Sequence, residues 1–224
     1  MNSNGDLAGA EERSALRIVC GPTGAGKSAL ALALAERHGL TILTADSRQV
    51  YRGFDIGTAK PTAAERSRVP HEGLDLADPT ERFSAAAWAA HATAVIERVG
   101  VDRVLVVGGT GLYLRALAQP LFAEPALDTA RRAALAAELE SLDTGTLRRW
   151  VMHLDASRAA LGRTQLLRAL EVALLTGRRI SDLHREASRA PRWSARWLVV
   201  DPREQLHGRI KRRLDAMLAG GWLN

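Results

Sequence analysis

Residues 16–39 read L-R-I-V-C-G-P-T-G-A-G-K-S-A-L-A-L-A-L-A-E-R-H-G, and this stretch decides the fold. Leu16–Cys20 is a short apolar run that ends directly at Gly21, as a buried strand does. Gly21-Pro22-Thr23-Gly24-Ala25-Gly26-Lys27-Ser28 has the spacing G-x-x-x-x-G-K-S. Ser28–His38 is rich in alanine and leucine, lacks Gly and Pro, and stops at Gly39, a candidate helix-ending glycine. Strand, glycine loop and helix in that order form a P-loop. Its backbone N–H groups cradle phosphate at the positive end of a helix dipole. Lys27 reaches the terminal phosphate, and the Ser28 hydroxyl can hold Mg²⁺. A di- or triphosphate is therefore the expected ligand of Gly21–Ser28.

Working outward, Leu40–Thr44 predicts a second strand. Ser84–Val99 predicts a helix with Trp88, Ala92, Val95 and Val99 on one face, and Val104–Val107 predicts a third strand entering Gly108-Gly109-Thr110-Gly111. Strands alternating with helices specify an α/β fold, a P-loop NTPase-like core around a parallel sheet. The pattern changes after Pro120 and Pro125. From Asp128 to about Glu186 it is helical, with Leu135, Leu139 and Leu142 as one stripe and Leu166, Leu170 and Leu174 as another. Trp197–Val200 looks like a returning strand, and Asp201-Pro202 opens a last helix through Ala219. The expected organisation is a discontinuous core, 15–119 and 196–224, a helical insertion, 120–195, and a flexible tail, 1–14.

Composition narrows the class. The 224 residues are 46% hydrophobic, enough to bury a full core, and Cys20 is the only cysteine, so no internal disulfide can form and a reducing compartment is expected. Met1–Ser14 has no apolar run of the signal-peptide kind, and stretches such as Ala29–Ala35 are too short to span a bilayer, so a cytoplasmic protein without a membrane partner is expected. The net charge of +6 favours a polyanionic partner. Only Lys27, Lys60 and Lys211 among the 31 basic residues are lysine, the other 28 being arginine. A compact ammonium kept against that bias suggests point-charge chemistry.

The P-loop does not name the reaction. P-loop kinases and ATPases add a metal-binding carboxylate at the end of a later strand, yet Val104–Val107 runs into Gly-Gly-Thr-Gly. The acid that directly follows an apolar strand is Asp46, ahead of Ser47, Arg48 and Gln49, whose hydroxyl, guanidinium and amide suit the polar edges of a substrate. Asp46 is a metal partner, a base, or the cap of a helix.

Further motifs settle the choice by resemblance. D-S-R-Q-V-Y-R-G-F-D-I-G-T-A-K-P at 46–61, the P-loop at 21–28, V-G-G-T-G-L-Y at 107–113, R-A-L-E-V at 168–172 with T-G at 176–177, and R-I-K-R-R-L-D-A-M-L-A-G at 209–220 together resemble the tRNA dimethylallyltransferase (isopentenyltransferase) family. The resemblance runs from about Ile18 onward. It implies transfer of a dimethylallyl group from dimethylallyl diphosphate to the exocyclic amine of an adenosine beside the tRNA anticodon. The P-loop then holds a diphosphate leaving group with Mg²⁺, Asp46 acts as general base, and Thr110 helps place the target adenosine. Ser47, Arg48 and Gln49 read the target and its flanks. The insertion corresponds to the part that grips the anticodon stem, with Arg132 at a tRNA-contacting position and Arg131, Arg148, Arg149 and Arg163 suited to phosphates. The partners implied are tRNA and dimethylallyl diphosphate, and a monomer is expected.

Two departures accompany the resemblance. Leu161–Gln165 reads L-G-R-T-Q where the family shows N-D-x-Q-R, and the sequence stops at Asn224 where the family continues into a further helical segment, so a C-terminally short form is expected. The alternatives are a small-molecule P-loop kinase, a prenyltransferase acting on free adenine nucleotides, and a non-catalytic diphosphate- or RNA-binding relic.

Overall fold

The computed structural model describes residues 15–118, 128–186 and 192–223. The expected tail, 1–14, and Pro120 and Pro125 lie outside the described residues. The chain divides into two compact units, one formed by 1–119 with 191–224 and the other by 120–190.

In the first unit the strands are β1 (Leu16–Cys20), β2 (Thr41–Ala45), β3 (His71–Glu72), β4 (Val104–Gly108) and β5 (Ala195–Val199). They form one sheet in the order β3-β2-β4-β1-β5, every pair parallel. The helices are α1 (Lys27–His38), α2 (Ala63–Arg68), α3 (Ala85–Val99), α4 (Gly111–Ala118) and α9 (Leu206–Ala219), the last numbered in chain order after the four of the second unit. On one face Val19, Ile42, Leu105 and Val107 pack on Ala31 and Ala35 of α1. Period-two alternation turns Ile18, Leu43, Val104 and Val106, all buried, to the opposite face. Trp88 of α3 is fully buried, stacks on Tyr113 of α4 with centroids 5.0 Å apart, and donates its indole N–H to Thr44 O at 3.0 Å. The buried indole thus has the partner it requires.

Several boundaries differ from the sequence reading. The turn after Asp46 is not a helix, so the cap Asp46 supplies is that of a turn. The capping box of Thr62 and Glu65 starts α2, whose polar surface gives no periodic signal. The last helix begins at Leu206 after a 3₁₀ turn at Arg203–Gln205, not at Asp201-Pro202. β5 is an edge strand with Trp197, Leu198 and Val199 exposed. Among the described residues no helix is long and apolar enough to cross a membrane.

The second unit contains α5 (Thr129–Ser141), α6 (Thr144–Leu154), α7 (Arg163–Thr176) and α8 (Ile180–Glu186). Asp128 and Asp143 cap α5 and α6 by accepting from Arg131 N at 2.7 Å and Thr146 N at 3.0 Å. Gly177 ends α7 in the left-handed conformation at φ 69°. Leu139, Leu147, Val151, Leu166, Leu170 and Ile180 form the core, with Leu135 and Leu142 packed against it. Leu174, expected in the same stripe, is exposed. Asp155, only 2% exposed, accepts from Ser157 Oγ at 2.8 Å and from Ser181 N at 3.0 Å, tying the end of α6 to the start of α8. Burial raises its pKa, but these hydrogen bonds outweigh burial and hold the carboxyl below its usual value. Asp155→Ala is expected to cost the whole chain about 1–3 kcal/mol by denaturant titration, because the Ser181 N–H loses its acceptor. A group with a depressed folded pKa stabilises above its unfolded pKa. The gap between wild type and variant should therefore close as pH falls through the depressed folded value.

Candidate functional site

Strand register builds the site. Ala45 of β2 aligns with Gly108 of β4, and Gly108 aligns with Cys20 of β1, so three neighbouring strands end on one row. The residues that follow, Asp46, Gly109-Thr110 and Gly21, leave the sheet together at its carboxyl edge. This is the place where open parallel α/β sheets bind ligands. Two glycines are required by close backbone approach. A Cβ at Gly108 would lie 2.1 Å from Ala45 O, and one at Gly21, where φ is 146°, would lie 2.2 Å from Val200 O.

The edge opens into a cavity of about 750 Å³ lined by the P-loop, Asp46–Gln49, Gly109-Thr110, the 59–62 segment, and Arg209 and Arg213 of α9. All seven loop residues from Gly21 to Lys27 except Ala25 line it, as does Ser28; Ala25 is buried beneath. Lys27 donates to Pro22 O at 2.8 Å, which arches the side chain back over its own loop. Burial lowers its pKa; Asp46 pulls it upward, Arg213 lowers it again and Cys20 opposes.

Asp46 Oδ1 accepts from Arg48 N at 2.8 Å and Gln49 N at 3.4 Å. One oxygen thus shapes the turn; Oδ2 has no hydrogen-bond partner among the described residues. Thr110 locks the neighbouring turn to it: its Oγ1 accepts from Ser47 N at 3.0 Å, and its N–H donates to Ala45 O at 3.2 Å. Tyr113, one turn along α4, has its pKa pushed up to about 12, first by burial and then by the charges of Tyr51 and Asp46. Arg48 is exposed at the cavity, whereas Gln49 is buried and donates its amide to Thr58 O at 2.9 Å and Ala59 O at 3.1 Å. The Gln49 amide nitrogen is therefore committed to its own loop, and among the described residues its side-chain carbonyl oxygen accepts no hydrogen bond.

Arg209 and Arg213 escaped the sequence reading as site residues. Arg209 donates to Ala25 O at 3.1 Å, directly under the P-loop, and Arg213 donates to Thr58 O at 3.0 Å. The signal was the four-residue spacing in R-I-K-R-R, which puts both guanidiniums on one helix face. Together with Lys27 they add positive charge to a cavity whose lining carboxylates are Asp46, at the strand ends, and Glu65.

A hard cation also fits. Among the described residues no three or more His, Cys, Asp or Glu side chains group as a metal cage. Ser28 Oγ beside a phosphate cradle is the sparse donor set that Mg²⁺ accepts when substrate phosphates supply the remaining ligands.

In the second unit the arginines divide by their bonds. Arg163 donates to Leu142 O and Glu140 O, both at 2.8 Å, closing the end of α5, and Arg148 donates to Ala159 O at 3.0 Å. Arg132 and Arg168 both bond the carboxylate of Glu171. Arg131 and Arg149 are exposed, Arg149 donating to Thr146 Oγ1 of its own helix at 2.8 Å.

A sequence model described as IPP transferase matches residues 49–224. The chain is 49% identical over 216 residues to a tRNA dimethylallyltransferase of Anaeromyxobacter sp. (strain Fw109-5), covering 93% of this chain and 72% of that relative. It is 47% identical over 221 residues to that of Geobacter metallireducens, covering 94% and 71%. Among solved structures, a eukaryotic dimethylallyltransferase acting on tRNA superposes with a TM-score of 0.75 at 26% identity, covering 92% of this chain and 53% of that one. The full-length tRNA isopentenylpyrophosphate transferase of Bacillus halodurans gives 0.59 at 33% identity, covering 93% and 67%. The chain belongs to the IPP transferase family, that of the tRNA dimethylallyltransferases.

Proposed function

We propose that this protein transfers a dimethylallyl group from dimethylallyl diphosphate to the exocyclic amine of the adenosine beside the tRNA anticodon, releasing diphosphate. The observation that carries it is the row of strand ends that brings the P-loop, Thr110 and Asp46 onto one cationic cavity. The P-loop amides and Lys27 hold the diphosphate, with Arg209 and Arg213 adding positive charge. As the new N–C bond forms, the C–O bond to diphosphate breaks and its electron pair leaves with the diphosphate. Asp46 Oδ2 takes the proton from the amine, a poor nucleophile that needs a base within hydrogen-bond reach. Cations already in place stabilise the charge building on the leaving group. Mg²⁺, when bound, would be held by Ser28 and the diphosphate and would neutralise part of that charge.

The target base must leave the stack to reach such a cavity. Ser47, Arg48, the Gln49 carbonyl and Thr110 surround its place of entry. The enzyme acts as a monomer in the cytoplasm, with its RNA substrate. The test is incubation with dimethylallyl diphosphate and an unmodified anticodon stem-loop, in parallel with ATP and with AMP. A mass gain of one dimethylallyl unit on the RNA, with stoichiometric pyrophosphate, is expected. Turnover of ATP alone would favour a kinase, and prenylation of AMP alone would favour a free-nucleotide enzyme.

The 120–190 unit binds the stem in this reading, through phosphate rather than base contacts. The exposed arginines carry that binding. Replacing Arg131 and Arg149 together with alanine should lower the slope of log affinity against log salt by about one to two. Titrating stem-loop RNA at several salt concentrations measures it, and an unchanged slope would mean that these side chains meet only solvent.

A further inference from the structure

Lys60 is the second of the two lysines at the cavity, and phosphate binding leaves it without a task. Its side chain is only 1% exposed, although the residue lines the cavity wall. The ammonium donates to Tyr51 O at 2.6 Å, Asp55 Oδ1 at 2.9 Å and Asp75 Oδ1 at 2.6 Å. An ammonium has three N–H donors, so all three are engaged within the protein.

We propose that Lys60 is a positioning residue for the transfer reaction, clamping the 49–61 loop so that the adenosine side of the cavity keeps its shape, and that it does not bind the diphosphate. This deepens the functional reading above and rests on it for the reaction affected.

The loop is also closed at both ends by bonds among the neighbours of Lys60 and of its partner Asp75. At its start, Gln49 bonds Thr58 O and Ala59 O; Asp75 N donates to Gln49 O at 3.2 Å and Leu76 N to Val50 O at 2.7 Å. At its end, Arg66 bonds Pro61 O and Asp75 Oδ2, both at 3.0 Å. Two non-glycine residues flank the clamp in the left-handed region, Ala59 at φ 50° and Asp75 at φ 56°. Such backbone persists only where its surroundings over-determine it. Here Lys60 adjoins the first and grips the second. Burial raises the pKa of Asp75, but the bonds from Lys60 and Arg66 prevail and lower it, as a carboxylate held charged requires.

The chain's bias toward arginine sharpens the assignment. A planar guanidinium presents its donors as a flat fork, whereas a carbonyl and two carboxylates converging on one point fit a compact ammonium. That is a physical reason for lysine at this position in a chain with 28 arginines among 31 basic residues.

The experiment compares wild type with Lys60→Met, Lys60→Arg and Asp55→Asn. The readouts are inorganic pyrophosphate affinity by calorimetry, amide hydrogen exchange, and steady-state transfer to an anticodon stem-loop. In Lys60→Met, exchange should rise across residues 49–61 while pyrophosphate affinity stays within about 3-fold of wild type. The transfer kcat should fall by ~10²-fold, the scale expected of a misplaced reactant, with the KM for dimethylallyl diphosphate unchanged. Lys60→Arg should not restore it. Asp55 is largely exposed, so Asp55→Asn keeps the fold if Lys60→Met does not, and should give the same pattern at ~3- to 10-fold. Loss of pyrophosphate affinity by 10-fold or more, restoration by arginine, or unchanged loop exchange would each overturn the proposal. A wild type inactive on RNA would instead overturn the functional reading, with exchange and pyrophosphate binding still deciding whether Lys60 is a clamp.

Discussion

Asp46→Asn is expected to lower dimethylallyl transfer by ~10²-fold or more, the range for loss of a general base, with pyrophosphate affinity unchanged. The substitution is nearly isosteric. The amide oxygen of asparagine can still accept from Arg48 N and Gln49 N, so the turn that Oδ1 shapes should survive. What disappears is a carboxylate oxygen able to take a proton. In the proposed reading the diphosphate is held by the loop after β1 rather than by Asp46, so its binding should not report the change. Single-turnover transfer with pre-bound dimethylallyl diphosphate separates chemistry from binding. Near-normal turnover in the variant would leave Asp46 the cap of a turn and no more.

Lys27→Ala is expected to act on the opposite side of the reaction, lowering the transfer rate by about 10²–10³-fold, as removal of a preorganised donor to a developing anion does. Pyrophosphate affinity should fall with it, because a charge-assisted contact to phosphate is lost. RNA affinity, measured separately, should hold. Lys27 also predicts a pH dependence with a definite sign. Burial lowers its pKa and Arg213 adds to the effect, against the upward pull of Asp46 and Cys20. In the empty site the ammonium is therefore lost at a lower pH than for a free lysine. Pyrophosphate affinity should begin to decline on the alkaline side earlier than an ordinary lysine would dictate, and the alanine variant should lack that limb. If RNA affinity fell as far as pyrophosphate affinity, the assignment of phosphate to the P-loop and RNA to the 120–190 unit would fail.

The order of elements along the chain determined the fold class. Leu16–Cys20 abutting a glycine loop, and Val104–Val107 entering another, left a parallel α/β sheet as the economical solution, because these contacts are local and their period is written in consecutive residues. The P-loop residues were legible for the same reason: one contiguous segment makes the whole cradle. Asp46 was legible as the acid at a strand end, but its partners were not. Only register places Ala45, Gly108 and Cys20 in one row, and register depends on hydrogen bonds between strands more than 20 residues apart in sequence. Arg209 and Arg213 entered the cavity on the same terms, since α9 folds back over a loop some 184 residues earlier in the chain. Gln49 and Lys60 show the reverse case. Both sit inside the longest motif, one with an amide suited to a substrate's polar edge and the other with an ammonium kept against the arginine bias. Yet the structure spends the Gln49 amide and all three Lys60 donors on one loop. Sequence reports which groups a chain possesses; burial and the competition for buried acceptors decide which of them remain to meet a substrate.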